Sequence, residues 1–291
     1  MGLAIDVGLF QFEDLEPEAG PAARRVEMPD GQVYILRPVG GGADDGAPAS
    51  PRDAPALPTG FKDLGPASTP DPYDPRVQLA AINALLSVRG LPTHDEPKDV
   101  PPFAPSGLDG FPYSFLHTLR RVMALHRLQP GQPIEPMRLD DDDYTMLDAF
   151  CDDPAARRCH LVLHADNCGY YFPIDIDEVV SDHDPRLDSS SEAGTGDGDE
   201  AGGGVDDVDD EIIEGGFLGS SLRLAEELRE IAPLIGIALD GETVPPEVIA
   251  ENERLVRAGE DGTWFRERTV WLTLYEAALH SSRHRAAIVF C

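Results

Sequence analysis

The pattern His160-x-x-x-His164-x-Asp166, with Tyr170 close behind, gathers two imidazoles, a carboxylate and a phenol in one short stretch of chain. Such groups can pass protons, hydrogen-bond a small ligand or bind a metal. On a strand, residues four apart share a face but lie about 13 Å apart, beyond the reach of one ion unless the strand bends. Hydrogen-bonding histidines are therefore the plain reading, and a polar site where one of them meets Asp166 is the sharper one. A second group, Tyr113, His117, Arg120 and Arg121, falls on one expected helix, with Arg266 and Arg268 near the start of the longest one. In an acidic chain its arginines either pair with carboxylates or form a cleft for an anionic ligand. The candidate polar site is accordingly His160, His164, Asp166, Tyr170, His117 and Arg120, with no catalytic residue, metal or cofactor assigned.

His280 and His284 have helical i, i+4 spacing, which brings both rings to one face within reach of one metal. Ser281 stands where the H-E-x-x-H arrangement needs glutamate, and Arg283 and Arg285 oppose a cation. A basic helix C-terminus, favoured by the helix dipole, explains this cluster. Cys151, Cys159, Cys168 and Cys291 show no zinc-binding spacing and are too few for a disulfide framework, so reduced thiols are expected. The aspartates at 140–143 and the Asp197-Gly-Asp199 piece miss the twelve-residue calcium loop and read as solvated charge. Gly219-Ser220-Ser221 lacks the G-x-S-x-G elbow and suits helix capping. The glycines at 40–42 and 202–204 lie among acids with no lysine following, unlike a phosphate loop.

The elements that would position these groups follow from periodicity. Residues 2–10 and 32–38 read as strands, while 76–89 and 113–128 place apolar side chains along one helical face. A short helix over 143–150 would carry aspartates at its favourable N-terminal end. Residues 159–164 and 170–176 read as the two strands of a hairpin. Further on, Ser220 or Ser221 caps a helix to 232, and 234–239 is a strand or a packed loop. Helices at 247–257 and 264–282 precede a closing strand at 286–290, tied into a sheet. The fold class is α+β: a single compact domain with a small, mainly antiparallel sheet packed by five or six helices, and two disordered inserts. Residues 1–39 supply N-terminal strands of the core, 40–75 a disordered Pro/Gly/Asp-rich insert, and 76–181 core helices with the central hairpin. Residues 182–215 form a disordered acidic Gly/Ser/Asp insert, and 216–291 the remaining core helices and C-terminal strand.

Charge narrows the partners. The net charge of −31 comes from 54 acidic against 23 basic residues, and Lys62 and Lys98 are the only lysines. The arginine bias, with abundant Ala, Gly and Pro, follows from GC-rich coding and needs no functional cause. The acidity repels nucleic acid, anionic membranes and acidic substrates, and favours cationic partners or a high-salt cytoplasm. Residues 182–214 alone hold 13 carboxylates against Arg186. With no basic leader and no run near the roughly 18 apolar residues of a membrane span, a cytoplasmic location is expected. Nothing in the pattern assigns an oligomeric state.

The segments Phe115-Leu-His-Thr-Leu-Arg-Arg121, Cys159-His-Leu-Val-Leu-His-Ala-Asp166 with Gly169-Tyr-Tyr-Phe-Pro173, Gly219-Ser-Ser-Leu-Arg-Leu224 and Ala286-Ala-Ile-Val-Phe290 resemble those of a group of bacterial proteins without an established activity. The resemblance covers the ordered parts and carries over no catalytic residue. It implies that the two low-complexity tracts are inserts, long in this member, within a compact core.

Charge without a complete catalytic set favours a non-enzymatic acidic interaction protein, of immunity or regulatory type, that binds a cationic protein partner. The alternative is a small-ligand-binding protein or hydrolase-like enzyme with a His/Asp/Tyr site at the 159–176 hairpin. That alternative requires those side chains to converge with His117 or Arg120 in one pocket. A third reading makes the 182–214 tract a mimic of nucleic-acid phosphate. A mimic must hold its carboxylates at fixed spacing, which a Gly-rich disordered tract cannot do.

Overall fold

The computed structural model describes residues 2–9, 24–27, 33–36, 62–65, 75–106, 110–138, 143–164, 168–181, 213 and 216–290. In chain order the strands and first helix are β1 (Gly2–Val7), β2 (Arg24–Glu27), β3 (Val33–Leu36), β4 (Lys62–Gly65), α1 (Pro75–Val88) and β5 (Gly110–Pro112). Then come α2 (Tyr113–Leu128), α3 (Thr145–Cys151), a 3-10 helix (Pro154–Arg158), β6 (Gly169–Phe172), β7 (Val180–Ser181) and β8 (Phe217–Ser220). The last third is helical, with α4 (Ser221–Ile231), a 3-10 helix (Ala232–Ile235), α5 (Pro246–Ala258) and α6 (Phe265–His284), closed by β9 (Ile288–Phe290). Contacts group the chain into two units, Met1–Gln11 with Gln78–Cys291, and Phe12–Val77. In the second unit β2 pairs antiparallel with both β3 and β4.

The first unit is built on a six-stranded sheet of order β5-β1-β9-β6-β8-β7. Every pair in it is antiparallel except β6 with β8, so the α+β, mainly antiparallel expectation holds. The closing strand β9 lies between β1 and β6, inside the sheet, where its apolar Ile-Val-Phe is covered. Successive strand residues point to opposite faces, and β6 uses both. Tyr171 joins a core with Leu119 of α2, Leu228 of α4 and Trp271 of α6, while Tyr170 and Phe172 join a second core with Ile82 and Leu86 of α1. Thirteen of the 20 residues of α6 are buried, including the polar Thr269 and Thr273, as suits a helix enclosed on nearly all sides. Its Trp271 stacks on Tyr275 at 4.6 Å between ring centroids and donates its indole N–H to Leu228 O at 2.7 Å.

The expected hairpin does not form. Residues 159–164 follow the 3-10 helix at Pro154–Arg158 as an irregular turn, and β6 takes its partners from β8 and β9. An apolar run of six residues suits a strand or a buried turn equally well, and distant side chains decided the matter. Residues 234–239 are likewise no strand: the 3-10 helix ends at Gly236, whose φ of 71° is the left-handed conformation that glycine accepts readily. The stretches expected as inserts, 40–75 and 182–215, lie outside the described residues apart from β4, Pro75 and Ile213. Among the described residues, no helix is long and apolar enough to cross a membrane.

Candidate functional site

A buried irregular turn must find a partner for each backbone N–H and C=O. Side chains from two helices and one strand do this for backbone groups of His160, Leu161 and His164. Arg120 of α2, only 4% exposed, donates from Nε to Leu161 O and from Nη2 to His164 O, both at 2.9 Å. Glu227 of α4 accepts the backbone N–H groups of His160 at 2.8 Å and Leu161 at 2.7 Å. The Tyr171 hydroxyl donates to His160 O at 2.8 Å. His160 Nδ1 accepts the Ser220 N–H at 2.9 Å, and burial pushes this imidazole down to about 4, keeping it neutral. Burial also lifts Glu227 to about 7 and the Cys159 thiol well above its ordinary range. The His164 ring stacks on Tyr171 at 4.0 Å and 9°, with Nε2 3.1 Å from Tyr170 O.

The six expected site residues therefore part company. His160 and Tyr170 are sealed inside, the latter with its hydroxyl donating to Gln78, and Asp166 lies outside the described residues. His117, Arg120 and His164 border one cleft of about 790 Å³ between α2, α3 and the turn. The α3 side of this cleft supplies Asp143, Tyr144, Asp148 and Cys151, and the His117 ring meets Tyr144 edge-on at 5.6 Å. Arg120 Nε and Nη2 and His164 Nε2 engage carbonyl groups, so the backbone uses much of the chemistry that these residue types advertise.

His280 and His284 do share a helix face, with ring centroids 4.4 Å apart. His280 Nε2 lies 2.9 Å from Pro101 O, where it fastens the 100–106 segment to α6 together with Glu276, which accepts the Ser106 N–H at 2.6 Å. Among the described residues, no three His, Cys, Asp or Glu side chains are grouped to hold a metal.

Some exposed carboxylates face arginine, and others, among them Asp95, Asp99, Glu135, Asp240, Glu247 and Glu260, make no ion pair with any described residue. Those on α4 and α5 mostly face arginine: Arg223 reaches Asp175, Asp177 and Glu226 at 2.8, 2.9 and 3.2 Å, and Arg254 and Arg257 pair with Glu251 and Glu253. Asp143, Asp148, Asp152 and Asp153, running along α3 into the following 3-10 helix, make no ion pair with any described residue. They are nevertheless held in place. Asp143 accepts the Thr145 N–H at 3.1 Å, and hydrogen bonds from the Thr145 side chain and backbone lower its pKa, while Asp153 caps the 3-10 helix by accepting the Ala155 N–H at 2.8 Å.

Three buried carboxylates, Glu96, Glu227 and Glu267, are not singled out by residue patterns. Glu227 carried a usable signal, since an acid between Leu224, Leu228 and Ile231 on the apolar face of a helix needs a buried partner. Glu96 carried none. It accepts the N–H groups of Leu9 at 2.8 Å and Ala287 at 2.9 Å and meets His94 Nε2 at 2.5 Å, tying the chain beside β1 and β9 together.

Fold and charge arrangement together define an acidic α+β protein whose best candidate surface is a row of ordered, unpaired carboxylates. The family model described as "Putative DNA-mimic protein" matches residues 67–290, most of the chain, and the chain belongs to that family. No curated protein and no solved structure matches it. The family overturns the immunity-type reading with its generic cationic partner, and with it the hydrolase-like alternative, whose hairpin is absent. That preference rests on net charge and the lack of a complete catalytic set, and it considers mimicry only for the 182–214 tract, passing over the carboxylates about α3.

Proposed function

We propose that the chain acts in the cytoplasm as a protein mimic of DNA, occupying the surface that a DNA-binding protein offers to phosphates. The observation that carries this is the α3 edge, where Asp143, Asp148, Asp152 and Asp153 stand on ordered backbone and make no ion pair with any described residue. Asp148 and Asp152 are about one helical turn apart, about 6 Å of rise, of the order of the through-space distance between neighbouring phosphates on one DNA strand. The formal charge of −31 equals the phosphate charge of roughly fifteen base pairs, at two charges each. Family membership supports the same reading. A phosphate-binding surface recognises charge at fixed spacing, and ordered carboxylates supply it without bases or sugars.

The test starts from proteins of the source cell retained on DNA-cellulose and washed with the full chain or, separately, with polyglutamate of matched charge. The chain should release a defined DNA-binding protein that polyglutamate leaves in place. That protein, once purified, should give up a fluorescent duplex to the chain in an anisotropy competition. Release by both polyanions alike, or by neither, overturns the reading.

A further inference from the structure

Resting on the mimic reading, we infer that the cleft between α2 and α3 takes up an arginine side chain from the DNA-contacting surface of the partner. Three features of the cleft select that chemistry. Its volume of about 790 Å³ accommodates a long side chain with room to spare, and it opens on the same α3 edge that carries the unpaired carboxylates. Asp143 and Asp148 stand on its α3 wall, and hydrogen bonds from Thr145 lower the pKa of Asp143. The rings of His117 and Tyr144, set edge-on to each other at 80°, give a planar cation an aromatic surface to lie against. Arg120 borders the floor as a positive charge, but its Nε and Nη2 are engaged by Leu161 O and His164 O, on the side of the turn.

Guanidinium fits this lining better than ammonium. Its flat fork matches a carboxylate and stacks on rings, whereas a lysine ammonium is a compact, strongly hydrated point charge. DNA-contacting surfaces are rich in arginine, and an arginine buried in a pocket is a frequent centre of binding energy. The cleft thus gives the mimic something a bare polyanion lacks: one anchoring pocket in a field of negative charge, which fixes where the partner docks.

N-acetyl-L-arginine amide serves as the probe, titrated into the full-length chain while the ring resonances of His117 and Tyr144 are followed by NMR. The expected result is a saturable shift confined to the cleft, with the lysine amide binding several-fold more weakly. Asp143→Asn with Asp148→Asn should weaken the arginine amide by roughly tenfold or more, since both carboxylates are charge-assisted acceptors. An asparagine at 143 still accepts the Thr145 N–H, so the fold is retained, which circular dichroism verifies. Asp240→Asn with Glu247→Gln removes the same charge elsewhere on the surface and should leave binding within about twofold.

Absence of a saturable shift, a shift spread over the acidic surface, or equal loss in both double variants overturns the proposal. A chain that displaces DNA from its partner but shows no saturable binding of the arginine amide keeps its mimicry and loses this pocket. A chain that binds the amide but never competes with DNA removes the assignment to a DNA-contacting surface.

Discussion

A carboxylate on the apolar face of a helix is unfavourable unless a buried group needs it. Glu227 meets that condition by accepting two N–H groups of the 160–164 turn, and Arg120 completes the clamp from the opposite side. The two N–H donors favour the ionised form, but burial outweighs them and raises the group to about 7. A carboxyl that keeps its proton to about pH 7 when folded, and loses it near 4.5 when unfolded, binds more protons in the folded state between those values. Its contribution to stability is therefore complete below pH 4.5 and is lost as pH rises to about 7. Urea denaturation of Glu227→Gln across pH 4.5–7.5 should show this fall flattened, with the variant less stable by about 1–3 kcal/mol because its amide N–H₂ faces a backbone donor. A pH profile parallel to wild type would count against the shifted carboxyl. The histidines at 160 and 164 were visible as chemistry-bearing residues, but their spacing holds no record of Arg120 or Glu227, which come from 40 to 67 positions away.

Helices announce themselves through local periodicity and caps, which is why α2 and α5 fall close to where the pattern places them and Ser220 caps α4 by accepting the Arg223 N–H at 3.3 Å. The turn at 159–164 had only an apolar run to offer, and such a run does not distinguish a strand from a backbone clamped inside the core. Gly219 shows how tightly the neighbouring elements close on it. A Cβ there would lie 2.4 Å from Cδ1 of Tyr171, the side chain that stacks on His164 and holds His160 O. Gly219→Ala should therefore shift β8 against β6 and destabilise the protein by about 1–3 kcal/mol, read as a lower thermal midpoint. An unchanged midpoint would mean that the Tyr171 ring yields without cost. The unpaired acids of α3 belong to this scale too: a run of aspartates reads as solvent-facing charge until the helix beneath it is known to be ordered.

At the scale of the whole molecule, a net charge of −31 acts on itself as well as on partners. Like charges brought together by folding repel, and salt screens them over about 10 Å at 0.1 M and about 3 Å at 1 M. Raising sodium chloride from roughly 0.05 to 0.5 M should lift the thermal midpoint, while the same change weakens competition with DNA. Opposite signs in the two experiments are the signature of one cause. A midpoint that falls or stays level over that range would show that the carboxylates are compensated within the fold.

What the chain's order of residues determined by itself was local or additive: helices from periodicity and caps, the α+β class from the mix of elements, the acidity from a count. Tertiary structure decided which polar residues serve the fold and which face outward, because burial and hydrogen-bond partners are set by contacts between positions far apart in the chain. His160 and Tyr170 went inside to satisfy backbone and packing, and Asp143, Asp148 and Asp152 about α3 stayed outside, ordered and with no ion pair to any described residue.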